Sequence, residues 1–242
     1  MSILRVATIE PEGATTTLTL GASGDTVTSS ADSIKANTFK DAGGNTLWTS
    51  DGSGTLSSIN SGLTPAGAKM ITSTTGTNTS AIEFTTGIDS TYDHYMFTMV
   101  NMFPHTNGEN FRVAWSSNAG SSYGITKTGP WFRARHTEGG ASGDLAYDSS
   151  YDSAQTTDAQ NLTYSTGGDA DQCYSGILHF FNPSSPTYVK NWYVNGNNAM
   201  ADDTSQNIFV AGYLNTTTAV DAVKFYFSSG NTSGTVTMYG IS

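Results

Sequence analysis

Cysteine is nearly absent: Cys173 stands alone among 242 residues, so no intramolecular disulfide can staple the chain. With no CxxC and no histidine at metal spacing beside it, Cys173 reads as a structural thiol. Charge is scarce too. Charged residues make up 12 %, with 10 Lys and Arg against 20 Asp and Glu, a net charge of -10. Ten scattered cations build no basic stripe, which excludes a nucleic-acid function and disfavours an anionic membrane surface. Long apolar runs are missing. The longest, Tyr95 to Val100 and Ile208 to Gly212, fall far short of the ~20 residues that cross a bilayer, so no membrane insertion is expected. The opening Met-Ser-Ile-Leu-Arg also lacks the apolar stretch of a secretory signal.

What fills the sequence instead is 37 Thr, 30 Ser, 26 Gly and 17 Asn, 110 of the 242 residues. These are mediocre to poor helix formers, and Thr suits a pleated sheet, so helical bundles and α/β architectures are excluded. The 27 aromatic residues supply a real core, unlike the composition of a disordered chain. They are unevenly placed. Only Phe39 and Trp48 fall in residues 1–66, which predicts a core-poor, extended, Gly/Ser/Thr-rich β segment there and a β-domain over 67–242. Within the first segment, Thr17 to Asp25 is loosely echoed by Thr46 to Gly54, as successive rungs of a fibrous β structure would be.

Beyond residue 67, short runs bounded by Gly, Asn, Asp and Ser predict eleven strands, enough for a jelly-roll-like antiparallel β-sandwich. Val223, Phe225 and Phe227 alternate with Lys224 and Tyr226, the period-2 signature of a half-buried strand. Tyr95 to Val100 is apolar on nearly both faces and predicts a central strand covered on its second side by a neighbouring subunit or a long loop. Asn107-Gly108 and Asn195-Gly196 read as hairpin turns. Thr137 to Gln160 and Asn195 to Asn207, long and polar, read as surface loops.

No HExxH and no GxSxG is present, and His94, His105, His136 and His179 are dispersed, so no catalytic residues and no enzyme activity are expected. No cofactor is expected: Asp144, Asp148 and Asp152 recur at intervals of four as a solvated acidic surface would, with calcium as the alternative, and the spacing matches no EF-hand. Trp131, Tyr147, Tyr151, Trp192 and Tyr193 lie in or beside the polar stretches, where exposed aromatic faces flanked by Asn and Asp are platforms for pyranose rings. Ile3, Leu4, Val6, Leu18 and Leu20 are apolar in a segment with no core to receive them, so they are expected to dock on a partner.

Leu18 to Val27, Lys40 to Leu47 and Thr49 to Gly54 resemble the leader of virion structural proteins from tailed phages of marine bacteria and cyanobacteria. Ile82 to Asp93, Phe227 to Val236 and Tyr239 to Ile241 are similar to the same group, so the likeness covers about half the chain. The resemblance implies a non-enzymatic virion protein: a short fibre, spike or surface decoration, a homotrimer held to other virion proteins by its N-terminal segment. It supplies no catalytic residues. The alternative is a receptor-recognition module that attaches the phage to host surface polysaccharide. Release by lysis would explain an extracellular style of composition without a secretory signal.

Overall fold

A computed structural model describes residues 38–41, 43–53, 56–57, 59 and 67–241. The docking residues Ile3, Leu4, Val6, Leu18 and Leu20 lie outside the described residues. The chain divides into two compact units, Met1–Pro65 and Ala66–Ser242.

In the first unit, β1 (Thr38–Lys40), β2 (Thr46–Ser50) and β3 (Leu56–Ser57) form an antiparallel sheet in the order β1-β2-β3. Its two aromatic residues meet across the strands: Phe39 pairs with Trp48 in register, and their rings stack at 4.0 Å.

The second unit carries β4 (Ala68–Thr79), β5 (Ile82–Phe84), β6 (His94–Pro104), β7 (Phe111–Ser116), β8 (Lys127–Gly129), β9 (Trp131–Thr137) and β10 (Gly143–Tyr147). They are followed by β11 (Ser153–Thr156), β12 (Gln160–Asn161), β13 (Tyr174–Phe181), β14 (Lys190–Ala199), β15 (Thr204–Leu214), β16 (Ala222–Phe227) and β17 (Thr232–Ile241). No helix occurs among the described residues. The large sheet runs β10-β9-β15-β14-β13-β6-β17-β4, with β8 on β15 and β11 on β8; the small sheet runs β12-β7-β16-β5. Setting aside β8 to β11 and β14–β15 leaves eight strands in the orders β4-β17-β6-β13 and β5-β16-β7-β12. That is the double Greek key of a jelly roll, with successive strands alternating between sheets except for β7 and β12, which pair within the small one. The set-aside strands widen one sheet beyond β13.

The two inner faces meet in one core. Phe97 touches Phe84 and Phe225 across the sandwich at 5.5 and 5.6 Å, Phe111 touches Tyr174 at 5.5 Å, and Trp115 touches Trp192 at 4.9 Å. β16 alternates as its sequence requires, Val223, Phe225 and Phe227 buried, Lys224 and Tyr226 half-buried. β6 buries Tyr95, Phe97 and Met99 inward while Val100 on its outer side is 48 % exposed.

Asn195 to Asn207 is not a loop. It forms the ends of β14 and β15, paired without a break from Lys190↔Leu214 to Ala199↔Ser205. Composition misleads here because Asn198, Thr204 and Gln206 point inward and are buried although polar. Asn195-Gly196 accordingly sits mid-strand, and Gly196 is there because the Tyr174 ring presses on its backbone, where any Cβ would overlap it. Asn107-Gly108 does turn, Gly108 at φ +80°. Thr137 to Gln160 likewise contains β10 and β11.

Candidate ligand-binding face

Strand pleating sends alternate side chains of the large sheet outward, and register decides which of them become neighbours. Phe132 on β9 lies opposite Phe209 on β15, and His179 on β13 lies opposite Tyr193 on β14. The rings form a continuous column across five strands. Phe132 and Phe209 are 5.1 Å apart, Phe209 and Tyr193 6.1 Å, Tyr193 and His179 4.6 Å, and His179 and His94 on β6 5.0 Å. Phe181 joins it, 4.6 Å from His94 and 6.0 Å from Tyr193. Near-parallel rings at the shortest of these distances overlap face over face, so ring edges look outward there. The step between Tyr193 and Phe209, only 13° from parallel, is the widest along the main row.

That wide step borders a depression of about 740 Å³. Ala211, whose outward side chain is a single methyl, and the Gly212 backbone line it, with Tyr193, Phe209, Tyr213 and Asn191 beside them. Gly212 is enforced from beneath, since a Cβ there would collide with the Thr128 carbonyl and the Trp192 ring. Amides continue the face beside the column. Asn195 donates to the Ile208 carbonyl at 3.3 Å and Asn207 to the Gly196 carbonyl at 3.1 Å. At the other end His94 Nε2 and His179 Nδ1 share a hydrogen bond of 2.8 Å. Burial holds both imidazoles below their ordinary pKa, and for His179 the neighbouring His94 adds to the shift.

Of the aromatic residues singled out in the sequence, Tyr193 lies in this depression. Trp131 and Trp192 are corrected: they are 0 % and 2 % exposed, anchors of the inner face, and an enclosed indole offers no platform. Tyr151 is half-buried between Trp131 and Tyr164, each 5.2 Å away, with its ring engaged inside the sandwich end. Tyr147 is 60 % exposed on edge strand β10, opposite Phe132 in register, and donates its hydroxyl to Asp152 at 2.5 Å.

Two of the spaced carboxylates, Asp144 and Asp148, meet at one guanidinium, and Asp152 lies apart from them on a phenol. Arg133 binds Asp148 at 2.9 Å and Asp144 at 3.2 Å, Arg135 binds Asp144 at 2.6 Å, and Asp152 receives Tyr147. Each of these carboxylates thus has at least one oxygen engaged with a guanidinium or a phenol. Among the described residues no group of three or more His, Cys, Asp or Glu side chains is placed to hold a metal ion.

Phe132, Phe181, Phe209, Tyr213 and Asn191 escaped the sequence reading. The signal was there as outward-parity aromatic residues in separate strands, but adjacency needed the register. No family model, curated protein or solved structure matches the chain.

Proposed function

We propose that the second unit is a non-enzymatic binding module that recognises carbohydrate on the outer face of its large sheet. The observation that carries this is the wide step of the aromatic column between Tyr193 and Phe209, bordering the depression over Ala211. Partly uncovered ring faces beside Asn191 and the Tyr213 hydroxyl supply what a sugar needs, apolar faces for its C–H surface and hydrogen-bonding groups for its hydroxyls. Replacing Tyr193 or Phe209 with Ala is expected to weaken glycan binding roughly tenfold, a loss of about 1.4 kcal/mol, at unchanged melting temperature. Binding equal to the parent in both variants would remove this face from the reading.

We further propose that the module is displayed on a tailed-phage virion as a trimeric short fibre, spike or decoration, with the first unit attaching it to other virion proteins. The support is the likeness of the leader and of the chain's end to such proteins, together with a first unit poor in large side chains. Leu18→Asp with Leu20→Asp should then abolish incorporation into particles, as measured by immunoblotting of purified virions.

A further inference from the structure

We infer that the ligand of this face is an uncharged polysaccharide, gripped along its chain rather than at its end. This rests on the carbohydrate reading above and narrows it to a class of polymer.

Acidic glycans carry carboxylates or sulfates, and proteins hold such groups with Arg forks or Lys ammoniums. The second unit has seven such cations, Lys69, Arg112, Lys127, Arg133, Arg135, Lys190 and Lys224, and none takes an outward position on the large sheet. Lys127 and Lys190 are 1 % and 0 % exposed. Arg133 and Arg135 share register with Ile208 and Gln206, buried inward positions, and both are spent on Asp144 and Asp148. Arg112 and Lys224 belong to the small sheet, where Arg112 donates to Asn161 and Lys224 lies over Tyr123. Lys69 pairs with Gly240, which pairs with the inward-facing Tyr95. Burial lowers the basicity of His94 and His179, whose ring nitrogens are also joined to each other at 2.8 Å. With a net charge of -10 the molecule also repels polyanions at long range.

The shape points to mid-chain contact. The depression is open, and the column continues from it across β9, β15, β14, β13 and β6, four inter-strand spacings or about 19 Å. A recognised chain end would need a wall, whereas an extended polymer needs a run of contacts.

The test uses the full chain in affinity electrophoresis and biolayer interferometry. The probes are neutral polymers (dextran, laminarin, galactomannan, agarose), acidic ones (alginate, pectate, κ-carrageenan, heparin) and a printed array of both kinds. The expected result is retention by at least one neutral glycan and by no acidic polymer. Affinity should change less than twofold between 50 and 500 mM NaCl, rise at least tenfold from mono- to hexasaccharide of the bound polymer, and fall tenfold in Tyr193→Ala. Tighter binding to an acidic polymer, lost with salt, would overturn the inference while leaving carbohydrate recognition standing. A monosaccharide bound as tightly as its polymer would overturn the mid-chain part. Binding to no glycan at all would sink the carbohydrate reading itself.

Discussion

Lys127 is the residue whose chemistry the fold changes most visibly. It opens β8 with its side chain 1 % exposed, and burial lowers its pKa to about 8, a shift that the charge of Asp158 opposes without cancelling. Between pH 8 and 10 the unfolded chain therefore holds a proton that the folded one releases, so this group makes stability rise with pH across that window. Urea denaturation at pH 7.5 and 9.5 is expected to show the rise, and Lys127→Met, which has no ammonium to bury, is expected to lose it. Tyr174, fully enclosed with its phenol pushed well above the ordinary range, works the other way at still higher pH, where only the unfolded chain ionises. Gly196 marks another residue-scale constraint. Gly196→Ala would drive a methyl into the Tyr174 ring and is expected to cost about 1–3 kcal/mol, read as a lowered denaturation midpoint at constant slope.

At the scale of elements, the inserted strands deserve separation from the jelly roll that bears them. β10 is an edge strand of five residues with Leu145 77 % and Tyr147 60 % exposed, and apolar burial does not hold it down. Besides its backbone ladder to β9, its side-chain tether is electrostatic: Arg133 reaches Asp144 on β10 and Asp148 just past it, with its own side chain only 10 % exposed. Removing the guanidinium leaves two carboxylates near each other in a partly buried site. Arg133→Met is thus expected to cost about 1–3 kcal/mol after allowance for the half-exposed aspartates, and to speed hydrogen exchange over residues 143–152 before any other segment. The aromatic column depends on the same insertion, since β9, β14 and β15 carry Phe132, Tyr193 and Phe209.

For the whole molecule, the two units differ in what they enclose. The second owns a core from Ile82 to Met238, closed by two facing sheets, which is what independent folding requires. The first has a single stacked pair, Phe39 and Trp48, as its aromatic content. A fragment spanning 66–242 is therefore expected to fold with the melting temperature of the full chain and to be monomeric by light scattering, while the full chain is trimeric. Trimers from both would move the self-association to the sandwich, with Phe132, Leu145 and Tyr147 as the exposed apolar surface to mutate first.

Much of the architecture was legible in residue order. Phe111 to Ser116 and Ala222 to Phe227 were bounded correctly, because one-face burial prints a period of two and turn residues punctuate it. Polar strand ends were not legible. Asn198, Thr204 and Gln206 are buried polar side chains, and Asn198 reaches the Tyr164 carbonyl at 2.9 Å, a partner 34 residues away that composition cannot announce. Nor does sequence distinguish an anchoring tryptophan from an exposed one: Trp192 and Tyr193 are adjacent, and only strand parity sends the first into the core and the second to the outer face.

By itself, then, the sequence determined the class: all-β, antiparallel, acidic, with a core-poor first segment and an aromatic-rich second unit, because composition and periodicity act through local preference and one-face burial. Tertiary structure alone decided which strands became neighbours, and with that the column from Phe132 to His94, the depression over Ala211 and the pairing of Arg133 with its two aspartates. Each joins residues from different strands, and register between strands is fixed by the packing of the whole sandwich rather than by any one stretch of chain.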